Sequence, residues 1–178
     1  QWDYGCGLRA DGAVLCWGAD TEGQATPLAG SFLHVAAGYD HACAIQQDHT
    51  VVCWGDADLN ATVPAEGTFI DLDCGYQFCC GVRTEGDLDC WGSNTDGRAR
   101  PPVGRFVRVA SNQEFSCAWK ANGTAACWGS SDNSKTNPSA GLAYTQIAPG
   151  RYHACGVRTD GSAACWGSSS SGKTDVPD

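Results

Sequence analysis

The sequence predicts an all-β repeat fold, a five-bladed β-propeller or an open toroid, with one disulfide stapling each blade. Three observations carry that expectation. The tripeptide Cys-Trp-Gly occurs five times, beginning at Cys16, Cys53, Cys90, Cys127 and Cys165, at spacings of 37, 37, 37 and 38 residues. Another cysteine stands ten positions before each, at Cys6, Cys43, Cys80, Cys117 and Cys155. An aromatic-led, alternating segment precedes each later pair: Phe32-Leu-His-Val, Phe69-Ile-Asp-Leu, Phe106-Val-Arg-Val and Tyr144-Thr-Gln-Ile. Such alternation reads as a strand, and self-similarity at this period marks a repeat architecture. The 178 residues fit one domain, with units at about 1–31 (partial), 32–68, 69–105, 106–143 and 144–178.

The turn between paired cysteines fixes the register. Its third residue is Gly12, His49, Gly86, Gly123 or Gly161, preceded by Asp11, Asp48, Glu85, Asn122 or Asp160. That is the pattern of a three-residue hairpin loop whose last residue is left-handed, where Gly is best and His tolerable. With Thr159-Asp160-Gly161 as the loop, Arg158 faces Ser162 as a hydrogen-bonded pair, and counting outward sets Cys155 opposite Cys165 at a non-hydrogen-bonded pair. Such pairs hold their Cα atoms about 4.5 Å apart, a separation a disulfide bridges. The expected bridges are therefore Cys6–Cys16, Cys43–Cys53, Cys80–Cys90, Cys117–Cys127 and Cys155–Cys165.

The opposite face of each hairpin sets Trp17, Trp54, Trp91, Trp128 and Trp166 against Gly5, Ala42, Cys79, Ser116 and Ala154. A large ring always meets a small partner. Ile45 and Val51 flank the Cys43/Cys53 pair while Ala44 and Val52 flank Trp54, so both faces are largely apolar. A sheet of that kind must be sandwiched between neighbours, in radial blades or a stacked solenoid. The propeller is favoured because closure leaves few exposed edges. Cys74 and Cys79 align with Ala37 and Ala42 and are expected to form a sixth, local bridge. Zinc is the other use of cysteine in such numbers. Nine residues between partners, no consistent histidine and a cross-strand register argue against it.

Twelve cysteines among 178 residues point to an oxidising compartment, with extracellular space the default. No apolar run approaches a membrane helix and no charged-then-apolar leader opens the sequence, so the expectation is a mature, secreted, soluble chain. Gln1 fits a trimmed end. The net charge of -9 argues against nucleic acid and against anionic membranes. Asn60-Ala61-Thr62 and Asn122-Gly123-Thr124 match the N-glycosylation pattern and fall in expected turns.

Units such as Val35-Ala-Ala-Gly-Tyr-Asp-His-Ala-Cys-Ala-Ile, followed by Val51-Val-Cys-Trp-Gly, and Asp160-Gly-Ser-Ala-Ala-Cys-Trp-Gly resemble the repeats of the regulator of chromosome condensation superfamily. The resemblance covers essentially the whole chain. Its flavour is that of the short, cysteine-bearing repeats of crinkly-type plant receptor kinase ectodomains and secreted bacterial propellers; the β-lactamase-inhibiting propeller protein has repeats of similar length. It implies a β-propeller used as a binding platform. It does not imply nucleotide exchange on a nuclear GTPase, an activity set among basic chromatin partners. The chain departs from a closed ring in phase. Gln1 aligns with Gly38, and residues equivalent to Leu142 through Pro149 are missing after Asp178. An imperfectly closed ring, a gap covered by a partner chain and a segment of a longer array all satisfy that count.

Catalysis is not expected. Of His34, His41, His49 and His153, only His41 and His153 share a repeat position, where the other units carry Tyr4, Phe78 and Phe115, so they read as packing residues. No serine or cysteine nucleophile has a predicted base and no carboxylate pair recurs. No cofactor is expected. Asp56-Ala-Asp58-Leu-Asn60 alternates oxygen ligands as a calcium loop does, but it lacks the central glycine and its counterparts are plain turns, so no metal is assigned.

The candidate ligand contacts are the two residues at the tip of the turn before each first cysteine: Trp2 and Asp3, Tyr39 and Asp40, Tyr76 and Gln77, Gln113 and Glu114, Arg151 and Tyr152. In a propeller these turns ring one mouth of the central channel. Four of the five tips carry an aromatic where a featureless turn favours Ser, Asn or Gly. Aromatic faces beside hydrogen-bonding groups suit a protein hot spot or a sugar ring. The sequence therefore reads as an extracellular, non-enzymatic binding module for a protein or glycan ligand. The alternative is a structural subunit whose incomplete ring packs against copies of itself.

Overall fold

The computed structural model describes residues 3–64 and 66–176 and contains five antiparallel sheets in chain order. The first is the hairpin of β1 (Tyr4–Leu8) and β2 (Val14–Gly18). The second comprises β3 (Phe32–Ala37), β4 (His41–Gln46) and β5 (Val51–Gly55), and the third β6 (Phe69–Cys74), β7 (Phe78–Arg83) and β8 (Leu88–Gly92). The fourth comprises β9 (Arg108–Ser111), β10 (Phe115–Trp119) and β11 (Ala125–Gly129), and the fifth β12 (Tyr144–Pro149), β13 (His153–Arg158) and β14 (Ala163–Gly167). Each three-stranded sheet is a meander with the middle strand at its centre. The fold is an all-β array of propeller blades. Among the described residues no helix is long and apolar enough to cross a membrane.

The hairpin loops explain the regularity. Gly12, Gly86, Gly123 and Gly161 have φ between 80° and 93°, and His49 has φ 69°. In the last loop Arg158 N–H donates to Ser162 O and Gly161 N–H to Arg158 O, at 2.7 and 2.9 Å. This closure sets Cys6 opposite Cys16, Cys43 opposite Cys53, Cys80 opposite Cys90, Cys117 opposite Cys127 and Cys155 opposite Cys165, each pair joined by a disulfide. A sixth disulfide joins Cys74 to Cys79, which face each other across β6 and β7. The loop carbonyl then receives the next sheet, since Phe32, Phe69, Phe106 and Tyr144 donate their N–H to Gly12, His49, Gly86 and Gly123.

The aromatic-led strands depart from simple alternation at one point. The register slips between Phe32 and His34, between Phe69 and Asp71 and between Tyr144 and Gln146, so the second residue of each is a bulge. In the fourth unit the strand begins only at Arg108, although Phe106 is buried and Val107 N–H reaches Trp119 O. The extra residue bends the strand and turns the aromatic into the inter-sheet core.

Sheets pack by one rule used four times. The cystine face of each sheet meets the tryptophan face of the next. Cys43, Ile45 and Val51 pack with Leu72, Cys79 and Trp91; Cys80 and Val82 with Val109, Ala118 and Trp128; Cys117 and Trp119 with Ile147, Ala154 and Trp166. Tyr4 and Val14 likewise meet Ala42, Ala44 and Trp54. Each indole also donates its Nε1–H across the interface, from Trp54 to Gln24 O, Trp91 to Ala61 O, Trp128 to Arg98 O and Trp166 to Lys135 O, at 2.9–3.1 Å. Burying the ring with its one polar atom satisfied avoids the cost of an orphaned donor.

Side chains join the innermost strands of neighbouring sheets. His34 Nε2–H donates to Leu72 O at 2.8 Å, Asp71 and Asp73 accept from Val109 N–H and Ser111 N–H at 2.8 and 2.7 Å, and Asn112 Nδ2–H donates to Pro149 O at 2.7 Å. These bonds occupy strand edges that would otherwise present unpaired backbone groups.

Candidate binding site at the loop tips

The five tips share one backbone frame. In units two to five the turn is closed by an N–H to carbonyl bond across three residues, from Gly38 to His41, Gly75 to Phe78, Asn112 to Phe115 and Gly150 to His153. The second tip residue then accepts, through its carbonyl, the N–H that follows Trp-Gly: Ala19 to Asp3, Asp56 to Asp40, Ser93 to Gln77, Ser130 to Glu114 and Ser168 to Tyr152, all at 2.7–2.9 Å. The glycine of Cys-Trp-Gly makes this approach possible. Gly55 has φ 98°, and a Cβ there would lie 2.5 Å from Asp40 O. The chain thus holds the tip backbone fixed and varies only the side chains.

On that frame three successive tips converge. Tyr39, Tyr76, Gln77, Gln113 and Glu114 line one cavity of about 380 Å³, completed by Ser93, Thr95 and Arg98. The Tyr39 and Tyr76 rings meet edge to face with centroids 4.9 Å apart. Arg98 forms the floor, its Nε–H donating to Thr95 O at 2.8 Å with the guanidinium over the Phe78 ring. Glu114 is held by Lys135, whose fully buried Nζ donates to Oε2 at 2.9 Å.

Tyr39 also borders a second cavity of about 200 Å³, lined with Asp3, Tyr4, Thr21, Gln24 and Asp40. This half is acidic. Burial first, then Asp56, Glu22 and Asp3, push the Asp40 carboxyl above its usual range. Burial and Asp40 likewise raise the Tyr4 phenol, whose hydroxyl donates to His41 O. The arrangement is a mouth with an aromatic and amide half beside an anionic half, suited to a ligand that pairs apolar or planar groups with positive charge.

Other sequence-derived positions fall elsewhere. Arg151 and Tyr152 pair with each other, guanidinium over ring at 5.0 Å, and lie outside both cavities. Trp2 lies outside the described residues. Asn60 and Asn122 are exposed, the first in a 3-10 turn and the second in a hairpin loop. His41 is wholly enclosed, and burial lowers its pKa to about 4.

Ser93, Thr95 and Arg98 are lining residues that the tip pattern misses. The signal that finds Arg98 is its repeat position, seven residues after Trp91, where Gln24, Ala61 and Lys135 also stand; all four are buried under the next unit. Among the described residues one group brings three potential ligand atoms within 4.8 Å, His41, Cys74 and Cys79. Its two sulfurs are bonded to each other, so it offers no thiolate to a cation.

Residues 32–59, 69–98 and 144–173 match the family described as the regulator of chromosome condensation (RCC1) repeat. No curated protein sequence matches the chain. Among solved structures, the entire ectodomain of the Physcomitrella patens receptor kinase CR4 superposes with a TM-score of 0.82 at 25% identity, over 98% of this chain and 52% of that one. The CRINKLY ectodomain of the Arabidopsis thaliana receptor kinase ACR4 gives 0.75 at 28% identity, over 98% and 63%. Human WBSCR16, at 15% identity and a TM-score of 0.79 over 93% and 60%, shares the fold. This chain therefore spans between half and two thirds of the length of the ectodomains it matches.

Proposed function

Because three of its five units are RCC1 repeats, we propose that this chain is an extracellular, non-enzymatic binding module that takes a protein segment at the mouth formed by its loop tips. One observation carries the reading. Five of the ten tip side chains, from three different units, converge on a single cavity although they are as much as 75 residues apart in sequence (39 to 114). Six disulfides and the ectodomain likeness favour an extracellular setting, and Asn60 and Asn122 are the positions proposed to carry glycan there. The favoured ligand is a peptide segment joining an aromatic or aliphatic anchor, for Tyr39 and Tyr76, to a Lys or Arg for Asp3 and Asp40.

The test is a random-peptide display selection on the intact chain, run beside a glycan array. Selected peptides should be basic and apolar, weaken as salt is raised, and lose about 30-fold in affinity against Tyr39→Ala or Tyr76→Ala. Peptides that bind both variants as well as the parent would place the site elsewhere. Sugars retained by the parent and lost by the variants would instead assign a glycan ligand.

A further inference from the structure

The two hollows at the mouth are repeat copies of one site. Ser93, Thr95 and Arg98 of the larger hollow stand two repeats after Ala19, Thr21 and Gln24 of the smaller, each at the same distance from its own Cys-Trp-Gly motif. Gln77 and Glu114 likewise stand two repeats after Asp3 and Asp40. In both hollows the loop after Trp-Gly supplies the floor and the tips of successive units supply the walls. Tyr39 lines both, so they adjoin.

The frame is shared and the charge is not. The smaller hollow sets two carboxylates, Asp3 and Asp40, beside the neutral Gln24. In the larger one the neutral amide of Gln77 replaces the first carboxylate, and the guanidinium of Arg98 replaces the floor amide. Ser93 brings a hydroxyl where the smaller hollow has the methyl of Ala19. The carboxylate that remains, Glu114, is already engaged by Lys135 Nζ at 2.9 Å. Arg98 is less well matched. Its side chain is 7% exposed, and among the described residues its one carboxylate partner is Asp96, 3.5 Å from Nη2 and itself 57% exposed. Its Nη1–H reaches the Gln113 carbonyl at a long 3.4 Å. An enclosed cation whose partner is solvated and at the limit of hydrogen-bond distance keeps donors for a closer anion.

We infer that the larger hollow is a carboxylate subsite, with Arg98 as its cation and the Gln77 and Gln113 amides and the Ser93 hydroxyl beside it as further donors. One guanidinium next to the Glu114 carboxylate suits a single negative charge and not a phosphate dianion. The inference rests on the peptide reading above and gives that peptide a direction. A Lys or Arg lies toward Asp3 and Asp40, an apolar side chain against Tyr39 and Tyr76, and an Asp, Glu or terminal carboxylate at Arg98.

The experiment is a nuclear magnetic resonance titration of the intact, isotope-labelled chain with N-acetyl-phenylalanine, which joins a planar ring to a carboxylate, and with its uncharged amide, N-acetyl-phenylalaninamide. The acid should shift the Arg98 Nε–H resonance saturably and bind about 10-fold more tightly than the amide, the margin of one charge-assisted pair. Arg98→Gln and Gln77→Asp each install the residue of the smaller hollow, and each should erase the preference while the amide still binds. Gln77 is half-buried and left-handed at φ 56°, a conformation aspartate adopts readily, so this variant keeps the test decisive if Arg98→Gln disturbs folding. No saturable shift at Arg98, equal binding of acid and amide by the parent, or a preference that either folded variant keeps overturns the carboxylate subsite. The peptide reading is judged separately by Tyr39→Ala and Tyr76→Ala against selected peptides: lost affinity retains it, and indifference removes it.

Discussion

Trp128→Ala and Trp17→Ala remove the same side chain from the same motif and should differ in cost by several kcal/mol. The Trp128 indole is buried against Phe78, Cys80 and Val82 of the neighbouring sheet, and its Nε1–H bonds to Arg98 O at 2.9 Å. Truncating a packed aromatic costs about 3–5 kcal/mol. Leaving the Arg98 carbonyl without its donor adds about 1–3 kcal/mol unless water enters. Trp17 is 62% exposed and, among the described residues, its ring lies on Gly5 and Gly7 of its own sheet, so its truncation should stay within about 1 kcal/mol. Repeat arrays lose stability interface by interface, so a single unfolding midpoint is a poor measure. Hydrogen exchange on the disulfide-intact chain at low concentration resolves it by sheet. Trp128→Ala should lose protection in β7, β8, β10 and β11 while β3 to β5 are spared, and Trp17→Ala should leave all of them unchanged. Equal losses for the two variants, or a loss spread evenly over all five sheets, would refute the interface rule.

Two further outcomes follow from buried groups that break the repeat. His41 is held neutral by burial with a pKa near 4 against an ordinary 6.5, so the unfolded chain takes up the proton first and stability falls as pH drops from about 6.5 to about 4. Burial raises Asp73 to about 7 from 3.8, so the folded chain keeps its proton longer and stability falls as pH rises from about 4 to about 7. The effects are on the order of 3 kcal/mol for His41 and 4 kcal/mol for Asp73 at full extent, and the two oppose each other across the acid range. His41→Phe, the residue at this position in units three and four, should leave the Asp73 slope, with stability rising toward acid. Asp73→Ala, the residue of units two, four and five, should leave the His41 slope; denaturant unfolding at several pH values reads both. Replacing Cys74 and Cys79 together by alanine reproduces the Ala37 and Ala42 pair of the preceding unit, so the fold should persist with a loss of about 2 kcal/mol, measured by chemical unfolding.

What is legible in the sequence divides along the range of the interaction. The cross-strand pairing of Trp17 with Gly5 through Trp166 with Ala154 is legible because a three-residue loop determines it within one hairpin. The bulges after Phe32, Phe69 and Tyr144 are not, because an alternating pattern continues across an inserted residue without interruption until the partner strand is seen. The tips are legible as positions, yet nothing local says that Tyr39, Tyr76, Gln113 and Glu114 share a cavity while Arg151 and Tyr152 turn to each other. That depends on the curvature of the array. Arg98 is the hardest, since a charged residue in a polar loop reads as solvated, and only the next sheet buries it.

The same division explains how a chain this regular can present a specific surface. The bonds that fix each tip are backbone to backbone, from the residue after Trp-Gly to the second tip carbonyl, and the glycine that permits them recurs in all five units. Side chains at the tips carry none of that structural duty, so Asp3, Asp40, Gln77, Glu114 and Tyr152 can differ without altering the frame. The tryptophans cannot vary in the same way, because each spans two units. A substitution at Tyr39 or Tyr76 should therefore change what the chain binds, whereas one at Trp54 or Trp91 should change whether adjacent sheets hold together.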